Sequence, residues 1–172
     1  MSVKKIFALM LATVMLFATG CDLLTSEKTF TKNGMSITLT NRFEEDAELA
    51  ADKDATACYI SNQILILALE MPFETMGISS GDMTLDAFGQ FIKENLSPDS
   101  GVEELSDLIH KDGLTYFTYM DREDPETPLK CVVAFYETSE GFWLVELDCV
   151  EDYFTKLEED LFNYAKSVTF ED

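Results

Sequence analysis

Residues 64–69 read Ile-Leu-Ile-Leu-Ala-Leu, six apolar residues in succession. A strand with one wet face alternates apolar and polar residues. A run with no polar member leaves neither face for water and describes a central strand covered on both sides. The rest of the chain is arranged as short runs of this kind separated by turn residues. Asn33-Gly34 separates residues 28–32 from 35–40, and Asp112-Gly113 separates 104–111 from 114–120. Both dipeptides favour the positive φ angles of a two-residue hairpin turn. Asn62-Gln63 joins 57–61 to 64–71, and Ser139-Glu140-Gly141 joins 129–138 to 142–150. Residues 44–55 are polar and predict a surface connection with room for a helical turn.

Two segments carry helical periodicity. Thr84 is a plausible N-cap for a helix to Leu96, with Leu85, Phe88, Phe91, Ile92 and Leu96 as its apolar stripe and the stretch 97–101 as its stop. Phe154, Leu157, Leu161, Ala165 and Val168 predict a closing amphipathic helix with Glu158, Glu159 and Lys166 towards water. The order is two hairpins, a helix, two hairpins and a helix. That pattern is α+β: a mostly antiparallel sheet with a middle helix and a C-terminal helix packed on it. Both aromatic stripes are expected to be core faces.

The last hairpin predicts a register. A three-residue loop ending in Gly141 pairs Thr138 with Phe142. It then opposes Phe135 to Val145, Val133 to Leu147 and Cys131 to Cys149, all on one core-facing side. Cys131 and Cys149 would be close enough to bridge; two buried thiols are an equal alternative. Cys58 has no evident partner.

The N-terminus is an address. Lys4 and Lys5 precede thirteen residues, 6–18, of which only Thr13 is polar. This is the layout of a secretory signal peptide, 1–20, and it is shorter than the ~20 residues a spanning helix needs. Ala18-Thr19-Gly20-Cys21 resembles the bacterial lipobox, with Ala where Leu is usual. The resemblance implies cleavage before Cys21 and a diacylglyceryl group on its thiol. Two acyl chains hold a protein at a membrane where one does so only marginally. Residues 21–27 would be the lipidated cysteine and a short tether, and 28–172 one domain. The expected location is the outer face of the bacterial cytoplasmic membrane.

Composition narrows the partners. The 172 residues include 33 acidic and 12 basic ones. Loss of residues 1–20 removes two of the basic residues and no acidic one, leaving a net charge of −23. Such a surface opposes nucleic acid and anionic lipid, so the acyl chains would act alone in holding the membrane. No cofactor is expected. No CxxC or His-rich spacing suggests a metal site, and Asp121 and Glu123 lack the calcium-loop pattern. Gly77-Ile78-Ser79-Ser80-Gly81 fits G-x-S-x-G, yet no strand and helix flank Ser79 as a nucleophile elbow requires. His110, the only histidine, would have to serve any Ser79 hydrolase.

The strand pairs, the middle helix, "GFWLVELDC" at 141–149 and "YAKSVTF" at 164–170 resemble the PsbP-like small lipoproteins. The resemblance implies an antiparallel sheet flanked by helices and a non-enzymatic binding or accessory role; it carries over no site residue. The expectation is a lipid-anchored module whose loops 73–83 and 121–128 contact a membrane-proximal partner. The alternatives are a Ser79/His110 hydrolase and a cation-binding envelope protein. Metabolic palmitate labelling should mark the wild-type chain and be lost in Cys21→Ser.

Overall fold

A computed structural model of the chain describes residues 25–96 and 101–171. Cys21, the signal segment and most of the helix stop at 97–101 lie outside the described residues. Two antiparallel sheets make the frame. The smaller joins β1 (Glu27–Lys32), β2 (Met35–Thr40) and β11 (Thr169–Phe170), with β2 central. The larger contains β3 (Glu44–Glu45), β4 (Ala57–Ile60), β5 (Ile64–Pro72), β10 (Gly141–Val150), β9 (Leu129–Glu137), β8 (Leu114–Asp121) and β6 (Val102–Glu103), in that spatial order. β7 (Ile109–Lys111) also pairs with β8. The described helices are α1 (Ala47–Asp52), α2 (Phe73–Met76), α3 (Leu85–Asn95) and α4 (Glu151–Lys166).

The turn residues do what their chemistry predicts. Asn33 and Gly34 have φ of 48° and 79°, and Asp112 and Gly113 have 54° and 82°, as a type I′ turn requires. Thr84 caps α3 by accepting the Ala87 N–H at 3.2 Å. The chain is not one strand from 104 to 111. Glu104 has φ of 51°, which breaks the extended run between β6 and β7.

The apolar run of β5 is central, between β4 and β10. Ile64, Ile66 and Ala68 join a core with Trp143, Val145, Leu147 and Cys149. That core is closed by α4, through Leu157, Leu161 and Ala165, and by Phe30, Met35, Ile37 and Leu39 of the small sheet. On the other face, Phe142, Leu144, Cys131, Val133, Phe135 and Phe117 pack beneath Phe73 of α2 and Phe88 of α3. Phe88 stacks on Phe142 with ring centres 4.5 Å apart. The α3 stripe is narrower than the periodicity suggests: Phe91 is 48% exposed.

The last hairpin differs from its predicted register by one residue. Thr138 N–H donates to the Gly141 carbonyl at 2.9 Å. Gly141 therefore opens β10 instead of ending the loop, and Phe142 pairs with Glu137. Gly141 is not in the left-handed region. Glycine fits there because a Cβ would fall 2.4 Å from the Met71 carbonyl oxygen of β5. The slip moves every facing pair: Cys131 opposes Asp148, and Cys149 opposes Lys130. Adjacent positions on a strand point to opposite faces, so Cys131 and Cys149 lie in different cores. Of the two equal readings, a Cys131–Cys149 bridge or two buried thiols, the structure shows the buried thiols.

Cys58, Cys131 and Cys149 are all buried and free. Burial pushes the Cys58 and Cys149 thiols up to about 12. The three should resist alkylation at neutral pH and react only on unfolding, and reduction should leave the electrophoretic mobility unchanged.

Candidate functional site

β5, β10, β9 and β8 present one face that α2 and α3 cover only at one end. At the other end lies a cleft of about 250 Å³. Leu65, Leu67 and Leu69 of β5 and Leu129 of β9 supply apolar lining. Tyr119 of β8 and Glu146 and Asp148 of β10 form a polar floor. Lys53, just past α1, and Asp121, Glu123, Asp124 and Thr127 complete the lining.

The lip is a built loop. Asp121 accepts the Glu123 N–H at 2.9 Å, and Asp124 accepts the Glu126 N–H at 3.0 Å. Arg122 ties the loop to its surroundings, reaching Glu103 at 3.0 Å and Glu151 at 3.2 Å. Of the two loops expected to carry contacts, 121–128 borders this cleft.

The floor is unusual chemically. Residues 146 and 148 stand on one face of β10 because they are two apart, and the register sets Cys131 opposite Asp148. One ligand-type atom from each of Cys131, Glu146 and Asp148 can be chosen so that all lie within 4.8 Å of one another. The Tyr119 hydroxyl donates a hydrogen bond to Glu146. Asp148 is only 7% exposed, and its Oδ1 has no hydrogen-bond partner among the described residues. Burial, then the neighbouring Glu146 charge, holds the Asp148 carboxyl well above its ordinary value. Burial and the nearby Asp148 and Glu146 push the Cys131 thiol up, and burial beside Glu146 does the same to the Tyr119 phenol.

No motif search finds this cluster. Its members come from separate strands, and only the correct register brings Cys131 to Asp148. The visible signal was the Glu-x-Asp spacing inside the apolar stretch Phe142–Val150.

The other sequence candidates are not brought together. Ser79 is exposed, and its N–H donates to Asp82 at 2.8 Å. Gly77 follows α2 in the left-handed region, with φ of 70°, and α3 begins only at Leu85. His110 engages Thr115 through Nδ1 at 3.1 Å and Asp86 through Nε2 at 3.4 Å. Both ring nitrogens are thus engaged away from Ser79. Asp121 and Glu123 border the cleft rather than forming a calcium loop. A second hollow, of about 420 Å³, lies between α4 and the β7–β8 turn. It is crossed by the exposed Lys166–Asp112 pair at 3.2 Å, which marks it as a solvated groove.

No protein-family model matches the sequence, and no curated protein matches it. The backbone does have likenesses. The solution structure of cyanobacterial PsbP (CyanoP) from Synechocystis sp. PCC 6803 superposes with a TM-score of 0.58 at 11% identity, covering 91% of this chain and 99% of that one. The fold is PsbP-like. The Ran-binding protein Mog1p of Saccharomyces cerevisiae superposes with a TM-score of 0.54 at 8% identity, over 86% of this chain and 96% of that one. LpqN of Mycobacterium tuberculosis is more distant, with a TM-score of 0.48 at 12% identity over 88% and 94%. At such identities the likeness establishes the PsbP-like fold alone. No described helix is long and apolar enough to cross a membrane.

A carboxyl whose folded pKa lies above its unfolded value lends stability that is complete below the unfolded value and is lost as pH rises through the folded one. For Asp148 that window opens near pH ~4 and extends upward. Asp148→Asn should match the wild type in acid and become relatively more stable as pH rises. Urea melts of both chains from pH 4 to 8 test this, and parallel profiles would contradict it.

Proposed function

We propose that this PsbP-like domain is a non-enzymatic, lipid-anchored extracytoplasmic binding module, with the cleft of β5, β8, β9 and β10 as its binding site. The observation that carries the reading is the cleft itself: leucine walls against a buried carboxyl floor. Concave, mostly apolar sites with a few convergent polar groups are where proteins hold small ligands. The ligand fitting such walls has an apolar body, and a polar end meets Tyr119, Glu146 and Asp148.

The anchoring half of the reading rests on Cys21 and the short segment before β1. Residues 22–26 extended reach no more than ~20 Å, so an acylated Cys21 holds the cleft near the bilayer. Ligands or partners are then drawn from the membrane-proximal layer. The hydrolase alternative loses its acid–base pair, since His110 is engaged with Thr115 and Asp86.

The neutral dye N-phenyl-1-naphthylamine should bind the wild-type chain with enhanced fluorescence. Leu69, half-buried in the wall, can be replaced without emptying the core. Leu69→Arg should weaken the dye at least about tenfold, about 1.4 kcal/mol, with unchanged circular dichroism. Equal binding by the two chains would remove the cleft from the proposal.

A further inference from the structure

The floor of the cleft has a feature that a purely apolar ligand does not explain. Three ionisable groups, Cys131, Glu146 and Asp148, converge within 4.8 Å. Among them, Asp148 is nine-tenths buried and keeps one oxygen, Oδ1, without a hydrogen-bond partner among the described residues. Buried polar atoms without partners are rare and call for an explanation, an ion among them.

We infer that the floor is a divalent-metal site, with the Cys131 thiolate and the Glu146 and Asp148 carboxylates as ligands to a zinc-like cation. The inference rests on the cleft reading and goes further by naming what occupies its closed end. The donor set selects the metal. A thiolate beside two carboxylates suits Zn²⁺ or Co²⁺, whereas Ca²⁺ and Mg²⁺ take oxygen ligands alone. Zn–S of ~2.3 Å and Zn–O of ~2.0–2.2 Å require the three ligand atoms to draw somewhat closer than they stand. The Glu146 and Asp148 carboxyl groups can supply that movement by side-chain rotation.

Three protein ligands leave a fourth position, as in zinc sites that bind an exchangeable group. Glu146 and Asp148 line the cleft, so that position would face its interior. The Tyr119 hydroxyl, bonded to Glu146, orients that carboxylate, as outer-shell partners of metal ligands do. A divalent cation would also offset negative charge that burial otherwise disfavours.

The test is Co²⁺ titration of the full chain carrying Cys21→Ser, which removes the one cysteine outside the described residues. Saturation at one equivalent with a near-ultraviolet thiolate-to-Co²⁺ band, bleached by Zn²⁺, is the expected result. Cys131→Ser should abolish the band. Asp148→Asn should weaken Co²⁺ by at least about tenfold, the minimum seen for lesser perturbations of metal sites. Cys58→Ser and Cys149→Ser should leave the band intact. Its absence from the folded parent, or its survival in Cys131→Ser, overturns the site. If Cys131→Ser fails to fold, Glu146→Gln replaces it, and undiminished Co²⁺ affinity then counts against the inference. Dye binding without a Co²⁺ band leaves the cleft reading standing and removes only the metal; loss of both removes the two together.

Discussion

Nine consecutive residue pairs join β5 to β10, from Gly141–Pro72 to Cys149–Ile64, and the rest of the molecule is organised by what those two strands require. β5 is apolar on both faces and β10 nearly so. Neither can be an outer strand or lie on a wet surface. The chain therefore builds two covers. The small sheet and α4 close one face over its core. On the other, α2 and α3 reach only part of the way, and α1 meets the margin through Ala50 against Cys58, Leu65 and Leu67. The cleft is the part of that face that no helix covers. Its apolar character is thus a by-product of the central strand's composition, and its specificity comes from the residues of β10 that are not apolar.

Much of this was legible in the sequence because local chemistry set it. Asn33-Gly34 and Asp112-Gly113 fix their turns by backbone preference, and the runs around them can only pair as hairpins. The α4 stripe has the helical period, and the final fold class follows from element order. What was not legible depended on distance. The short β11 strand is too brief to carry a pattern; it exists because Phe170 and Thr169 find Met35 and Ser36 of β2. Phe91 lies within the α3 stripe, yet Leu85, Phe88, Ile92 and Leu96 take the core side of that helix and Phe91 stays 48% exposed.

The register of the last hairpin shows the limit most clearly. Gly141 looks like a turn glycine because turn glycines are common. Its constraint is instead the backbone of β5, a strand 70 residues away in sequence, whose Met71 carbonyl leaves no space for a Cβ. One residue of slip changes the chemistry on both faces. The predicted pairing joined two thiols. The observed one separates them and sets a thiol against a carboxyl, which places a polar cluster at the base of a cleft. Spacing alone left bridge and buried thiols as equals and gave no sign of the cluster.

The Ser167 hydroxyl donates to the Thr38 carbonyl and its oxygen accepts the Thr38 N–H, each at 3.0 Å, across 129 positions of chain. With the β2–β11 pairing, this makes the first hairpin and the last helix mutual supports. An isolated two-stranded hairpin is marginally stable in water. β1 and β2 thus wait for the end of the chain before their apolar side is sheltered, and α4 waits for them. Folding must close a loop spanning most of the polypeptide, the kind of contact that slows the search for the native state. A molecule made in order from its N-terminus therefore acquires its final shape late and all at once, and a truncation of a few C-terminal residues would be felt at the beginning of the chain.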